Sequence, residues 1–311
     1  MLADDPALER VAAVAPNADL KASFEGFDRV VYLPWTPLVP EPEPSLSVDL
    51  DQTRRVLDAA GVCGVGGLVV LSSAVVYGAW PNNPVPLTEV APLRPNPGFG
   101  FAVRLAEVER LVEEWRIDHA DAAAAVLRPA LVVDPDHEGW MGLALDEAAT
   151  GVALEESPST QHLHVDDLAA AVAVVARAGL DGAYNVAPEG ALAPAELREL
   201  SGFGPRVAVP ERVRARLVTA GWRLGLSTAP PGLLPYVQHP WVVAADRLRG
   251  EGWTPSFAND EAYVAAHHPG PWSMLSPRRR QEIALGAAGV GVASVLALAG
   301  ALAVRALRRR G

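Results

Sequence analysis

The chain has 311 residues, half of them hydrophobic and 6% aromatic, enough for one large or two ordinary domains with a core built mainly of Ala, Val and Leu. A net charge of -11 speaks against a phosphate-backbone binder, so no nucleic-acid partner is expected. Cys63 is the sole cysteine, which excludes an intramolecular disulfide and fits a reducing compartment, and Lys21 is the sole lysine, so any mechanism that needs an ammonium must use that one.

The first residues carry Asp4, Asp5 and Glu9 without a continuous apolar run, so no signal peptide is expected. Short apolar runs then alternate with amphipathic stretches. "ERVAAVA" from Glu9, "DRVVYL" from Asp28, "GLVVLSS" from Gly67 and "AAVLRPALVV" from Ala124 predict buried strands. "DLDQTRRVLDAAG", "FAVRLAEVERLVEEW" and "VDDLAAAVAVVARAG" place apolar residues three and four apart and predict helices. Continuous rather than alternating apolar strands predict a parallel sheet covered by helices. "GVCGVGG" at Gly61 to Gly67 precedes its strand and therefore cannot be a dinucleotide-binding turn, which must follow one. Past Gly190 the pattern loosens: "APAELREL" and "ERVRARLVTAGWRLGL" predict helices, whereas "STAPPGLLPYVQHPWVV" is Pro-rich and irregular. The expected organisation is a domain over residues 1–188, a smaller lobe over 189–265, a linker over 266–282 and a last helix over 283–304.

That last helix reads as a membrane anchor. "IALGAAGVGVASVLALAGALAV" carries no charge and is long enough to cross a ~30 Å hydrocarbon layer. Arg278, Arg279 and Arg280 precede it, and Arg305, Arg308, Arg309 and Arg310 follow, at headgroup spacing. Arginines on both sides leave the charge rule silent on orientation, so the expectation of a single-pass C-terminal anchor with a cytoplasmic globular part rests on the missing leader. Small residues four apart, Ala287/Gly291 and Gly289/Ala293, are the sole pointer to an oligomer.

Seven segments occur in one order: "VDLDQTRRVLDAAGV", "VVLSSAVVYG", "PLTEVAPLRPNP", "AEVERLVEEW", "VLRPALVVDP", "HLHVDDLAAAVAVV" and "GAYNVAP". In that order they resemble the extended short-chain dehydrogenase/reductase family, the NAD-dependent epimerase/dehydratases, over most of residues 1–265. The resemblance implies an α/β fold with a doubly wound, Rossmann-like parallel sheet that binds NAD or NADP, and a small C-terminal lobe for a substrate, often a nucleotide sugar. It implies that Ser73 is the serine that hydrogen-bonds the substrate oxygen, that Tyr77 of "VYG" lies near the substrate, and that Leu33, Ser72, Arg128 and Pro129 stand where the family contacts cofactor.

The departures fall where the chemistry should be. The family passes a proton through a tyrosine whose phenol, ordinarily near pH 10, is brought toward neutrality by a lysine four residues on. Here those places hold Phe101 and Leu105, and no tyrosine has a lysine four residues after it. Arg104 points about 100° away around the helix. Proton transfer by the family route is therefore excluded, which leaves Ser73 to position a ligand and Tyr77 as the one candidate substitute acid. The family's first strand and Gly-rich pyrophosphate turn are also missing, since the chain opens on what resembles the end of the first helix. Pro16 lies near the expected ribose-gripping acid, with Asp19 close by. A missing central strand would leave two strands with unpaired edges. A truncated gene model and a decayed domain both account for it, and a start inside a family helix favours truncation. His162 and His164 share a strand face beside Asp166 and Asp167, but the resemblance makes "HVDD" a structural segment with Asp167 capping the next helix, so no metal is expected.

Three functions follow as expectations. One is a membrane-anchored family member, catalytically impaired, acting as a ligand-binding or scaffold module. A second is an active NAD(P)-dependent oxidoreductase or epimerase on a nucleotide-sugar-like substrate, with a non-standard proton donor. The third is a non-functional fragment that would unfold without cooperativity.

Overall fold

The computed structural model describes residues 11–15, 17–35, 48–137, 139–149, 157–201, 209–227 and 229–267. Its frame is a four-stranded sheet in the order β1 (Arg29–Tyr32), β2 (Gly67–Leu71), β3 (Ala123–Pro129) and β6 (Gly182–Val186), every neighbouring pair parallel. Every residue of β2 is buried, so both faces of the sheet are covered, as its unbroken apolar run requires. α2 (Leu50–Cys63) and α3 (Gly100–Asp118) pack on each other with α3 against β3, while α5 (Val165–Ala178) lies across β1, β2 and β3.

Local chemistry sets the helix ends. The Asp49 carboxylate accepts from the backbone N–H groups of Asp51 and Gln52 to open α2, and Gly64 closes it in the left-handed region at φ 63°. α3 turns Phe101, Ala102, Leu105, Val108, Val112 and Trp115 inward at spacings of three and four. Glu109 is buried on that same face.

The apolar run from Ala124 predicts one strand and forms two. The pairing with β6 ends with the Ala130 N–H donating to the Val186 carbonyl, while Pro129, whose missing N–H would face β2, gives nothing to the strand on that side. The chain then bends into β4 (Leu131–Val133), which pairs in parallel with β5 (His162–His164) in a separate two-stranded sheet. α9 (Asn259–Ala266) packs on that pair, and α8 (Asp246–Gly250) packs on β6. The remaining described helices are α1 (Leu20–Phe24), α4 (Trp140–Ala148), α6 (Pro194–Ser201) and α7 (Glu211–Arg223). Residues 189–265 thus carry short helices and a 3₁₀ segment, Pro231–Val237.

The strand predicted from Glu9 does not form over its described part. Residues Val11 to Ala15 are exposed and pair with no strand; an Ala-rich run has little side chain to pack on a pleated surface. Among the described residues the edge strands of the sheet are β6 and, at the other end, β1. A 640 Å³ cavity lies beside it, lined among others by Ala12, Val14, Phe24, Tyr32, Leu33 and Arg55. Among the described residues no helix is long and apolar enough to cross a membrane. The span expected at 283–304 lies outside them.

Candidate functional site

β2 delivers two serines at its C-terminal end, and they point to different partners. Ser72 is held in the ladder by its N–H to the Leu127 carbonyl, at 2.7 Å, and its hydroxyl donates to the Glu109 carboxylate. Ser73 caps the following 3₁₀ turn, Ala74–Tyr77, where its Oγ accepts from the Val75 N–H at 3.4 Å. Gly78 ends that turn at φ 71°, and a Cβ there would stand 2.1 Å from the Arg94 carbonyl oxygen, so the sharp exit needs glycine.

Behind this corner sits a buried polar network that joins α3 to the sheet. Arg128, on β3, grips Glu109 of α3 with Nη2 at 2.6 Å and Nε at 3.0 Å. Both side chains are buried, so this is a charge pair matched in place rather than a surface contact. Arg128 Nη1 also donates to the Tyr77 hydroxyl at 2.7 Å, and that hydroxyl donates in turn to Asn185 Oδ1 at 2.8 Å. Asn185 passes the connection on: its N–H donates to Glu89 and its Nδ2 to the carbonyls of Leu87 and Ala244. Burial pushes the Tyr77 phenol up to about 12, against the pull of the adjacent Arg128 guanidinium. Near neutral pH Tyr77 is a fixed, protonated strut.

The two positions that would carry tyrosine and lysine are packed solid. Phe101 is 1% exposed and Leu105 0%. The Phe101 ring meets Trp35 and Trp140 edge-on, with centroids at 5.2 Å and 5.1 Å, and Phe99 at 5.7 Å. Trp35 Nε1 donates to the Ser72 carbonyl at 3.3 Å, and the Tyr236 hydroxyl donates to the Val75 carbonyl at 2.7 Å. Phe99 links the two, with its ring 5.4 Å from that of Tyr236. Side chains from four separate parts of the chain therefore close over the strand end, and Ser73 is left 2% exposed.

The expected site residues thus divide. Ser72, Tyr77 and Arg128 come together: Glu109 joins Ser72 to Arg128, and Arg128 donates directly to Tyr77. Ser73 serves its own turn. Pro129 is buried in register with Val186 at the end of β3. Leu33, 55% exposed, stands apart at the end of β1 and lines the cavity on the open edge. Asp19 caps α1 by accepting from the N–H groups of Lys21 and Ala22. Pro16 lies outside the described residues. Glu109 and Asn185 complete the network without having been picked out in the sequence. Glu109 carried a signal: it continues the buried stripe of Phe101 and Leu105 at four-residue spacing, and a carboxylate there demands a partner.

The "HVDD" segment works differently from its expected reading. α5 is capped by His164, whose Nδ1 accepts from the Asp166 N–H at 3.2 Å. Asp167 is 2% exposed and accepts instead from the backbone N–H groups of Ser256 and Phe257, at 2.7 Å and 3.1 Å, fixing the approach to α9. His164 also stacks on Phe257. His162 shares Nε2 with the Thr160 hydroxyl at 3.1 Å, and burial, with a lesser push from His267, drives its pKa down to about 3. Among the described residues no group of three or more His, Cys, Asp or Glu side chains gathers to hold a metal.

With this geometry in place, comparison with known proteins gives the following. Residues 21–187 match the model of the NAD dependent epimerase/dehydratase family. The uncharacterized protein y4nG of Sinorhizobium fredii is 24% identical over 263 residues, covering 80% of this chain and 64% of that protein. An uncharacterized protein of Mycobacterium tuberculosis is 27% identical over 143 residues, covering 46% of this chain and 37% of that one. The chain thus spans less than two thirds of the length of these curated relatives. Among solved structures, the UDP-glucose 4-epimerase of Thermus thermophilus in complex with NAD superposes with a TM-score of 0.56 at 20% identity, covering 79% of each chain. MoeE5 in complex with UDP-glucuronic acid and NAD gives 0.58 at 19% identity, covering 81% of each. At these identities the likeness to solved structures is one of fold.

Proposed function

Because the chain belongs to the NAD dependent epimerase/dehydratase family, we propose that it is a member whose inherited proton relay is gone, a ligand-binding or scaffold module held at a membrane by residues 283–304. The observation that carries this reading is the burial of Phe101 and Leu105, at 1% and 0% exposure, with the Phe101 ring held among those of Trp35, Phe99 and Trp140. No hydroxyl or ammonium stands at those positions, and Ser73 is itself only 2% exposed.

An active enzyme would need another acid. Tyr77, the candidate by sequence, is held between Arg128 and Asn185 with its phenol pushed up to about 12, so it supports the inactive reading. The ligand class is the one that fold neighbours carry, a nucleotide sugar with NAD, and on this chain Leu33 and the 640 Å³ cavity at the β1 edge offer such a molecule a place. The membrane part of the reading rests on the uncharged run from Ile283 to Val304 with arginine clusters at both ends.

Isothermal titration of the purified full-length chain with NAD, NADH and UDP-glucuronic acid, alongside product analysis of the same mixtures, tests this. Binding heat for one of these ligands without product is the expected result. Product formed at a rate above background would overturn the reading.

A further inference from the structure

Four exposed apolar side chains follow one another along α7 and the turn that ends it: Val213 at 45% exposure, Leu217 at 62%, Leu224 at 72% and Leu226 at 78%. Val213, Leu217, Ala220 and Leu224 are spaced by four, three and four residues, so they form one stripe on the solvent side of the helix. Arg212, Arg216 and Arg223 are exposed and form the adjacent row, roughly 100° around the helix from Leu217. The opposite side, with Arg214 buried and Val218 and Trp222 half-buried, is turned toward the body of the lobe, where α7 packs on the 3₁₀ segment Pro231–Val237. Arg216 and Arg223 also flank a shallow 540 Å³ hollow floored by Ala215, Thr219 and Ala220.

The charge of this patch runs against that of the molecule. Exposed on residues 211–226 are three arginines and one glutamate, in a chain of net charge -11. An exposed apolar stripe bordered by arginines is the pattern of a helix that lies in a membrane interface, apolar side toward the acyl chains and guanidinium groups on lipid phosphates. A protein partner would have to match both rows, whereas an anionic bilayer offers both chemistries at once.

We propose that α7 docks on the surface of an anionic bilayer, with Val213, Leu217, Leu224 and Leu226 at the acyl boundary and Arg212, Arg216 and Arg223 on headgroup phosphates. This deepens the membrane reading above. The span at 283–304 tethers the chain, and α7 lays the small lobe flat on the leaflet.

The test uses the full-length chain with Cys63→Ser and Leu217→Cys, nitroxide-labelled and mixed with vesicles of phosphatidylcholine alone or with phosphatidylglycerol. Val264→Cys, at a 52% exposed position on α9, serves as the control site. The expected result is a several-fold rise in the ratio of oxygen to nickel-complex accessibility at position 217 in the anionic vesicles only, and loss of that rise when Arg212, Arg216 and Arg223 are all changed to Gln. A label that stays open to the nickel complex in anionic vesicles overturns the proposal. So does a label protected from both reagents, which would mean that α7 packs against a second copy. The span is read separately, by flotation with neutral vesicles in high salt. Its failure leaves the measurement at position 217 intact.

Discussion

Phe101 is where a proton relay and a hydrophobic core compete for one position, and the core holds it. Phe101→Tyr with Leu105→Lys therefore sets a phenol among the Trp35 and Trp140 rings and an amine at a fully buried position. The expected outcome is loss of stability rather than gain of turnover. Keeping a fully buried lysine neutral costs about 4 kcal/mol at pH 7, which urea unfolding of the double variant against wild type will read. His162 gives a second residue-scale expectation. Its folded pKa is depressed to about 3 from an ordinary 6.5, so its contribution is complete above pH 6.5 and is lost as pH falls toward 3. Between pH 8 and pH 5 the loss amounts to about 2 kcal/mol. His162→Gln is expected to flatten that part of the stability profile, and an unchanged slope would contradict it.

At the scale of elements, the carboxylate of Asp167 joins α5 to the loop before α9. Asp167→Ala leaves two backbone N–H groups, of Ser256 and Phe257, without an acceptor and is expected to cost about 1–3 kcal/mol in urea unfolding. Asp166→Ala, at a half-exposed side chain, is expected to change little. Had Asp167 been the helix cap of the sequence reading, its loss would fray the start of α5 and leave α9 undisturbed, a difference that amide hydrogen exchange resolves. The sequence showed most helices because their signals are local: an Asp before α2, a Gly after it, and stripes at three and four. It showed β2 and β3 through unbroken apolar runs. The strand expected from Glu9 failed because a run of alanines is apolar without being shaped for a sheet. The ring cluster could not be read at all, because Trp35, Phe99, Phe101 and Trp140 meet only once the fold has brought α3, α4 and the end of β1 together. The Arg128–Glu109 pair is of the same kind, its two members on different elements and a salt bridge only in the folded chain.

Over the whole molecule, a four-stranded parallel sheet sets the frame, and the corner after β2 is filled by the protein's own side chains. Among the described residues, cavities lie beside the β1 edge and along α7. The most direct measurement is product analysis of UDP-glucose incubated with NAD and the full-length chain, comparing wild type with Ser73→Ala and Tyr77→Phe. The account predicts that all three stay at background. Epimerised sugar from the wild type that disappears with either hydroxyl would contradict it.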